Sequence, residues 1–186
     1  MSELLFNELP RPTFRWLRVN HTVSSLAGED TAVQSIAVEA NKDILSPLPV
    51  GTALLDGNYE GANKEAVHVL VEQAEGYAMN VPPKAKEVVG IRIDANARVA
   101  NRFQFIVGEG AELEVQFYVT GSGDALTNVS YLNEYDVKEA GKVVVKKVNL
   151  LPEHVQHIEH RYTKLEEKAD VEYINIEIGG SENILN

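Results

Sequence analysis

Short runs of alternating apolar and polar residues, recurring from about residue 66 onward, constrain this chain more than any other feature. Leu113, Val115, Phe117 and Val119 interleave with Glu114, Gln116 and Tyr118. The pattern also covers Val67, Val69 and Val71, then Val89, Ile91 and Ile93, then Phe103, Phe105 and Val107, and finally Val129, Tyr131, Tyr135 and Val137. A period of two sets one face of an extended strand on a core and the other in water. The runs are short, rich in Val, Ile, Phe and Tyr, and bounded by Gly, Asn and Asp, which predicts strands over helices. Two runs change parity midway. Val143 and Val145 give way to Val148 and Leu150, and Ala169, Val171 and Tyr173 give way to Ile174, Ile176 and Ile178. Such a switch predicts a bulge or a corner that keeps the apolar side inward.

The strands are also spaced regularly. A small–polar–aliphatic phrase recurs as Ala97-Arg98-Val99, Ala111-Glu112-Leu113, Gly141-Lys142-Val143 and Ala169-Asp170-Val171, with starts 14, 30 and 28 residues apart. These read as one, two and two units of about 14 residues. Repeated turn chemistry with short strands marks a solenoid, in which each coil buries its face against its neighbours. A β-sandwich or jelly roll is the alternative, but it has no reason to repeat its turns.

Residues 1–60 differ. They hold four of the seven prolines and read as an arm followed by a weak helix over Ala32, Val33, Ile36, Ala37 and Ala40, capped by Asp30 or Thr31. Ser46-Pro47-Leu48-Pro49-Val50-Gly51 then breaks that helix. This divides the chain into an N-terminal arm, 1–60, and a β-rich core, 61–186.

Composition removes several function classes. The net charge is −11, from 28 acidic and 17 basic residues, and no basic stripe offers the phosphate neutralisation that nucleic-acid binding needs. With no cysteine, this chain alone makes no disulfide, thiolate zinc site, cysteine nucleophile or thiolate ligation of an iron–sulfur cluster. No apolar run reaches membrane-span or signal-peptide length, so no membrane is expected and the cytoplasm is the expected compartment. On that ground the sequons at Asn20-His21-Thr22 and Asn128-Val129-Ser130 read as chance.

Catalytic motifs are absent: there is no GxSxG and no HExxH. Gly108-Glu109-Gly110 and Gly121-Ser122-Gly123 continue into no phosphate-binding fingerprint and read as turns, as does the charge run Leu165-Glu166-Glu167-Lys168. Three of the five histidines fall within residues 154–162. On a strand, His154 and His160 share a face but lie about 20 Å apart, too far for one metal. His157 and Glu159 share the other face, about 6.6 Å apart, and supply two metal ligands if an adjacent coil adds a third. The plainer reading is the polar outer face of an exposed strand. A small metal-dependent enzyme on a barrel or sandwich is therefore the alternative function, with no catalytic, cofactor-binding or metal residue assigned.

The opening segment Phe6-Asn7-Glu8-Leu9-Pro10-Arg11-Pro12-Thr13-Phe14-Arg15-Trp16-Leu17-Arg18-Val19-Asn20 resembles the start of SufD-type proteins. Ile106-Val107-Gly108-Glu109-Gly110-Ala111-Glu112-Leu113 is similar to the recurring strand–turn phrase of the SufB/SufD family of iron–sulfur cluster assembly proteins. Leu126-Thr127-Asn128-Val129 and Ile178-Gly179-Gly180-Ser181 match comparable phrases. The resemblance covers residues 6–20 and about 66–182. It implies a right-handed parallel β-helix, incomplete at its end, and a non-catalytic scaffold subunit partnered by a SufC-like ABC-type ATPase and a SufB-like subunit. Any iron–sulfur cluster is then reached only through partner subunits. The family's cluster chemistry uses a cysteine and a histidine in a later part of its proteins, so no functional residue is carried onto a position here. The resemblance thus implies a fragment or a reduced paralogue. A solenoid that stops mid-coil leaves backbone groups unpaired, so a homodimer through the open β-helix end is a further expectation.

Overall fold

The computed structural model describes residues 3–6, 22–25, 36–55, 59, 64–122 and 126–185. Most of the chain winds as a parallel β-solenoid of four coils, each giving one strand to each of two sheets. The coils are β6 (Lys86–Asp94) with β7 (Val99–Val107), β8 (Glu112–Thr120) with β9 (Thr127–Val137), β10 (Lys142–Leu151) with β11 (Val155–Leu165), and β12 (Asp170–Gly179) with β13 (Glu182–Leu185). The first sheet runs β12-β10-β8-β6 and ends on β3 (Ile36–Glu39). The second runs β13-β11-β9-β7-β5, where β5 is Gly76–Val81, and ends on β4 (Leu45–Leu48). β3 and β4 pair antiparallel with β6 and β5, and so cap one end of the solenoid. A separate antiparallel pair joins β1 (Glu3–Phe6) to β2 (Thr22–Ser25).

One corner of the coil is built four times from the same backbone. Ala85, Ala111, Gly141 and Ala169 each donate an N–H three residues back, to Pro82, Gly108, Lys138 and Glu166. The residue before each small residue adopts positive φ: Lys84 at 61°, Gly110 at 61°, Ala140 at 56° and Lys168 at 59°. Its N–H bonds the corner of the next coil, Lys84 to Glu109, Gly110 to Glu139 and Ala140 to Glu167, each at 2.9 Å. The repeat is therefore 26, 30 and 28 residues, from 85 to 111, 141 and 169. The phrase at Ala97 belongs to the opposite corner, between β6 and β7, and is not a member. The true first member is Ala85, which an aliphatic third position fails to mark because Glu87 stands there. Gly108-Glu109-Gly110 is a turn, as its glycines suggest. Gly121-Ser122 also lies between strands, whereas Gly123 is outside the described residues.

Two local readings are overturned. Val67, Val69 and Val71, expected on a strand, lie in α1 (Lys64–Gln73), because the same stretch also carries helical spacing. Val67, Leu70, Val71 and Ala74 are buried together with Leu132, while Val69 is 45% exposed. Ile36, Ala37 and Ala40, expected in a helix, instead lie in β3 or just after it, since pairing to β6 outweighs weak helical propensity. Asp30 to Val33 lie outside the described residues.

The core sits between the sheets, where the first two coils bring Ile91, Ile93, Phe117 and Val119 inward. Aromatic rings pack within and between coils: Phe117 stacks on Tyr131 of its own coil at 5.8 Å, and Phe105 on Tyr135 of the next coil at 4.7 Å. No described helix is long and apolar enough to cross a membrane.

Candidate functional site

Register decides what lies inside each coil. Ile91, Phe117, Lys147 and Asn175 occupy one column of the first sheet, and Ile93, Val119, Asn149 and Glu177 the next. In these two columns the interior is thus apolar in the first two coils and polar in the last two, while Val143, Val145 and Val171 carry the apolar core on beside them. β10 and β12 do not switch parity; both alternate without a bulge from end to end. Lys147 and Asn149 point in, and Leu150 stays 39% exposed. Ile174, Ile176 and Ile178 point outward at 44%, 50% and 59% exposure. Nothing in the pleat requires the apolar residue to be the inner one once buried charges satisfy one another.

Those charges form one network. Lys147, fully buried, holds both carboxylates, with Nζ 2.5 Å from Glu159 Oε2 and 2.5 Å from Glu177 Oε1. Arg161 grips Glu159 with two N–H groups, at 2.6 and 2.8 Å, and lies over the Tyr173 ring at 4.6 Å. Asn133 donates to Glu159 at 2.7 Å. Burial alone raises the Glu159 pKa, but the hydrogen bonds from Arg161 and the charge of Lys147 outweigh it and hold the carboxyl down at about 2. The two cations and two carboxylates balance.

His157 lies in the same network, on β11. Asn149 Nδ2 stands 3.1 Å from its Nδ1, so Nδ1 accepts and Nε2–H donates to the Tyr131 hydroxyl at 3.0 Å. Tyr131 in turn reaches Glu159 at 3.4 Å. Burial, and then the nearby Lys147 charge, push the His157 pKa down to about 4, so the ring is neutral at pH 7. The same Nδ2 lies 2.7 Å from Glu177 Oε2 and 3.0 Å from Asn183 Oδ1, so its two N–H groups are shared among three acceptors.

His157 and Glu159 are thus brought together on one face as expected, but that face is the interior and not an exposed outer surface. Glu159 is taken up by Lys147, Arg161 and Asn133. Among the described residues no group of three or more His, Asp or Glu is placed to hold a metal ion. His154 and His160 do not share a strand face. His154 sits in the turn before β11, and His160 is buried on the opposite side of β11 from His157. Sequence reasoning missed Lys147, Asn149, Arg161 and Glu177; the signal was the stumble in alternation at 147–149 and 175–177.

A second polar cluster lies on the outer face of the second sheet. Arg102 donates to the carbonyls of Ala74, Thr52 and Pro49 at 3.1, 2.6 and 2.8 Å. Glu134 accepts from Leu54 N–H at 3.0 Å, from the Tyr59 hydroxyl at 2.6 Å and from Gln104 at 2.9 Å. These bonds latch the 49–55 segment and the end of α1 to the sheet.

Fold and site together define a parallel β-solenoid with an apolar end capped by β3 and β4, and a buried polar network toward β12, the last strand of the first sheet among the described residues. Comparison with models of known families, with curated proteins and with solved structures gives no match.

Proposed function

We propose that this chain is a non-catalytic, SufD-like scaffold subunit of a cytoplasmic iron–sulfur cluster assembly complex, partnered by a SufC-like ABC-type ATPase and a SufB-like subunit. The observation that carries this reading is the bare last coil. β12 ends the first sheet and has no strand on its far side among the described residues, and its three isoleucines face outward. A row of exposed apolar side chains along one strand is a surface suited to another chain. Two of the phrases behind the resemblance also fall where a solenoid uses them, while residues 7–20 lie outside the described residues. Residues 106–113 run from the end of β7 through the repeated corner into β8. Gly179 and Gly180, at φ 79° and 81°, turn the chain out of β12.

In this reading any cluster belongs to the partner subunits, since this chain has no thiolate to offer. The test is affinity capture of the tagged chain from its own host, with mass spectrometry of what accompanies it. An ABC-type ATPase or a SufB-like protein is the expected companion. Recovery of neither, even after crosslinking in the cell, would sink the proposal.

A further inference from the structure

We infer that the solenoid interior holds a bound water molecule between Asn101 of β7 and Asn133 of β9, and that this water joins all four coils into one hydrogen-bonded chain. The site is independent of the scaffold reading and lies between two inner strands of the second sheet. Three observations carry it.

The first is a buried amide set among apolar groups. Asn101 is fully buried, and neither its Oδ1 nor its Nδ2 has a hydrogen-bond partner among the described residues. Its inward neighbours along β7, Val99 and Phe103, belong to the apolar core. A dry amide there would bear the full cost of leaving water, whereas buried polar groups nearly always bond to protein or to ordered water. The second is a matching atom within reach. Asn133 is also fully buried, and its Nδ2 donates to Glu159 at 2.7 Å, while its Oδ1 has no partner among the described residues. β7 and β9 are adjacent and parallel, with Asn101 opposite Tyr131 and Asn133 two residues further on. Asn101 and Asn133 are therefore diagonal neighbours on the inner face, about 8 Å apart at their Cα atoms, a separation that two amides and one water span. The third is charge. Lys147 and Arg161 already balance Glu159 and Glu177, and the two amides are neutral, so the site calls for water and not for an ion. The water accepts from Asn101 Nδ2, donates to Asn133 Oδ1 and turns its second proton to Asn101 Oδ1, which gives it three bonds. The chain then runs from Asn101 through the water to Asn133, Glu159, Lys147 and Glu177, from the first coil to the fourth.

Magnetic resonance of the isotope-labelled full chain tests the site. In a rotating-frame Overhauser spectrum, the side-chain amides of Asn101 and Asn133 should each show a cross-peak to the water resonance, with the sign of proximity and not of exchange. Asn101→Leu has nearly the same shape but neither donor nor acceptor. In that variant the cross-peak at Asn133 should be lost, while the Asn133 amide signal itself remains because Glu159 still holds it. A parent chain with no water cross-peak at either amide overturns the site. A folded Asn101→Leu in which Asn133 keeps its full cross-peak overturns it too, since the water would then be held by other groups. Should the leucine variant fail to fold, a high-resolution crystal structure of the parent chain decides. One ordered water within hydrogen-bond distance of both side chains is expected there, and Asn101 packed against carbon atoms alone would overturn the inference.

Discussion

Lys147 is the residue on which the polar end turns, because one ammonium compensates two carboxylates that burial penalises. Replacing it with methionine keeps the packing but leaves Glu177 without a cation and Glu159 with Arg161 alone. Loss of about 3–5 kcal/mol of stability is expected, read as a lower urea midpoint with unchanged m. Val145→Ala on the same strand removes only apolar volume and serves as the reference. Acid sensitivity follows from the histidines. His157 and His160 are both held near pKa 4, in each case chiefly by burial. Between pH 6.5 and 4 the unfolded chain binds protons that the folded chain does not, so stability falls as pH drops through that window. Glu159, held at about 2, extends the loss from pH 4.5 downward. His157→Gln should flatten the loss between pH 7 and 5 when urea midpoints are compared. The sequence showed this cluster only as a break in alternation. A bulge and a buried lysine leave the same trace, since hydropathy does not reveal that Glu177 waits on the adjacent strand and Glu159 on the opposite sheet.

At the scale of elements, the repeated corner is the device that keeps the coils in register. Its positive-φ position is a glycine once, at Gly110, and carries a side chain at Lys84, Ala140 and Lys168. A left-handed residue with a Cβ costs about 1–2 kcal/mol, part of which glycine's greater freedom in the unfolded chain cancels. Ala140→Gly is therefore expected to raise the midpoint of thermal unfolding by about 2–4 °C, and Gly110→Ala to lower it by a similar amount. Calorimetry of the two variants beside the parent chain checks both signs. Strands β6 to β9 were legible because their inward residues alternate, although on β7 and β9 Arg102, Gln104, Leu132 and Glu134 are buried on the outer face as well. α1 was not, because Val67 and Val71 fit both periods and only the contact with Leu132 decides between them.

At the scale of the whole molecule, the solenoid was legible from three of its four corners, which share a small residue followed by a polar and an aliphatic one. The fourth corner escaped because its strand begins Lys86-Glu87, where register and not hydropathy fixes the place. The change from an apolar to a polar interior was not legible, being a property of stacked columns that only pairing reveals. That gradient runs from the end closed by β3 and β4 to β12, the last strand of the first sheet among the described residues. In the proposed reading, the β12 end is the one used for association. The central claim is that association uses the β12 end, and amide hydrogen exchange of the captured complex beside the chain alone tests it most directly. Slower exchange in the complex across Asp170–Gly179, with α1 and Ile36–Glu39 unchanged, is the predicted result. Slowing confined to α1 or to the β3 end, with β12 exchanging as it does alone, would contradict the account.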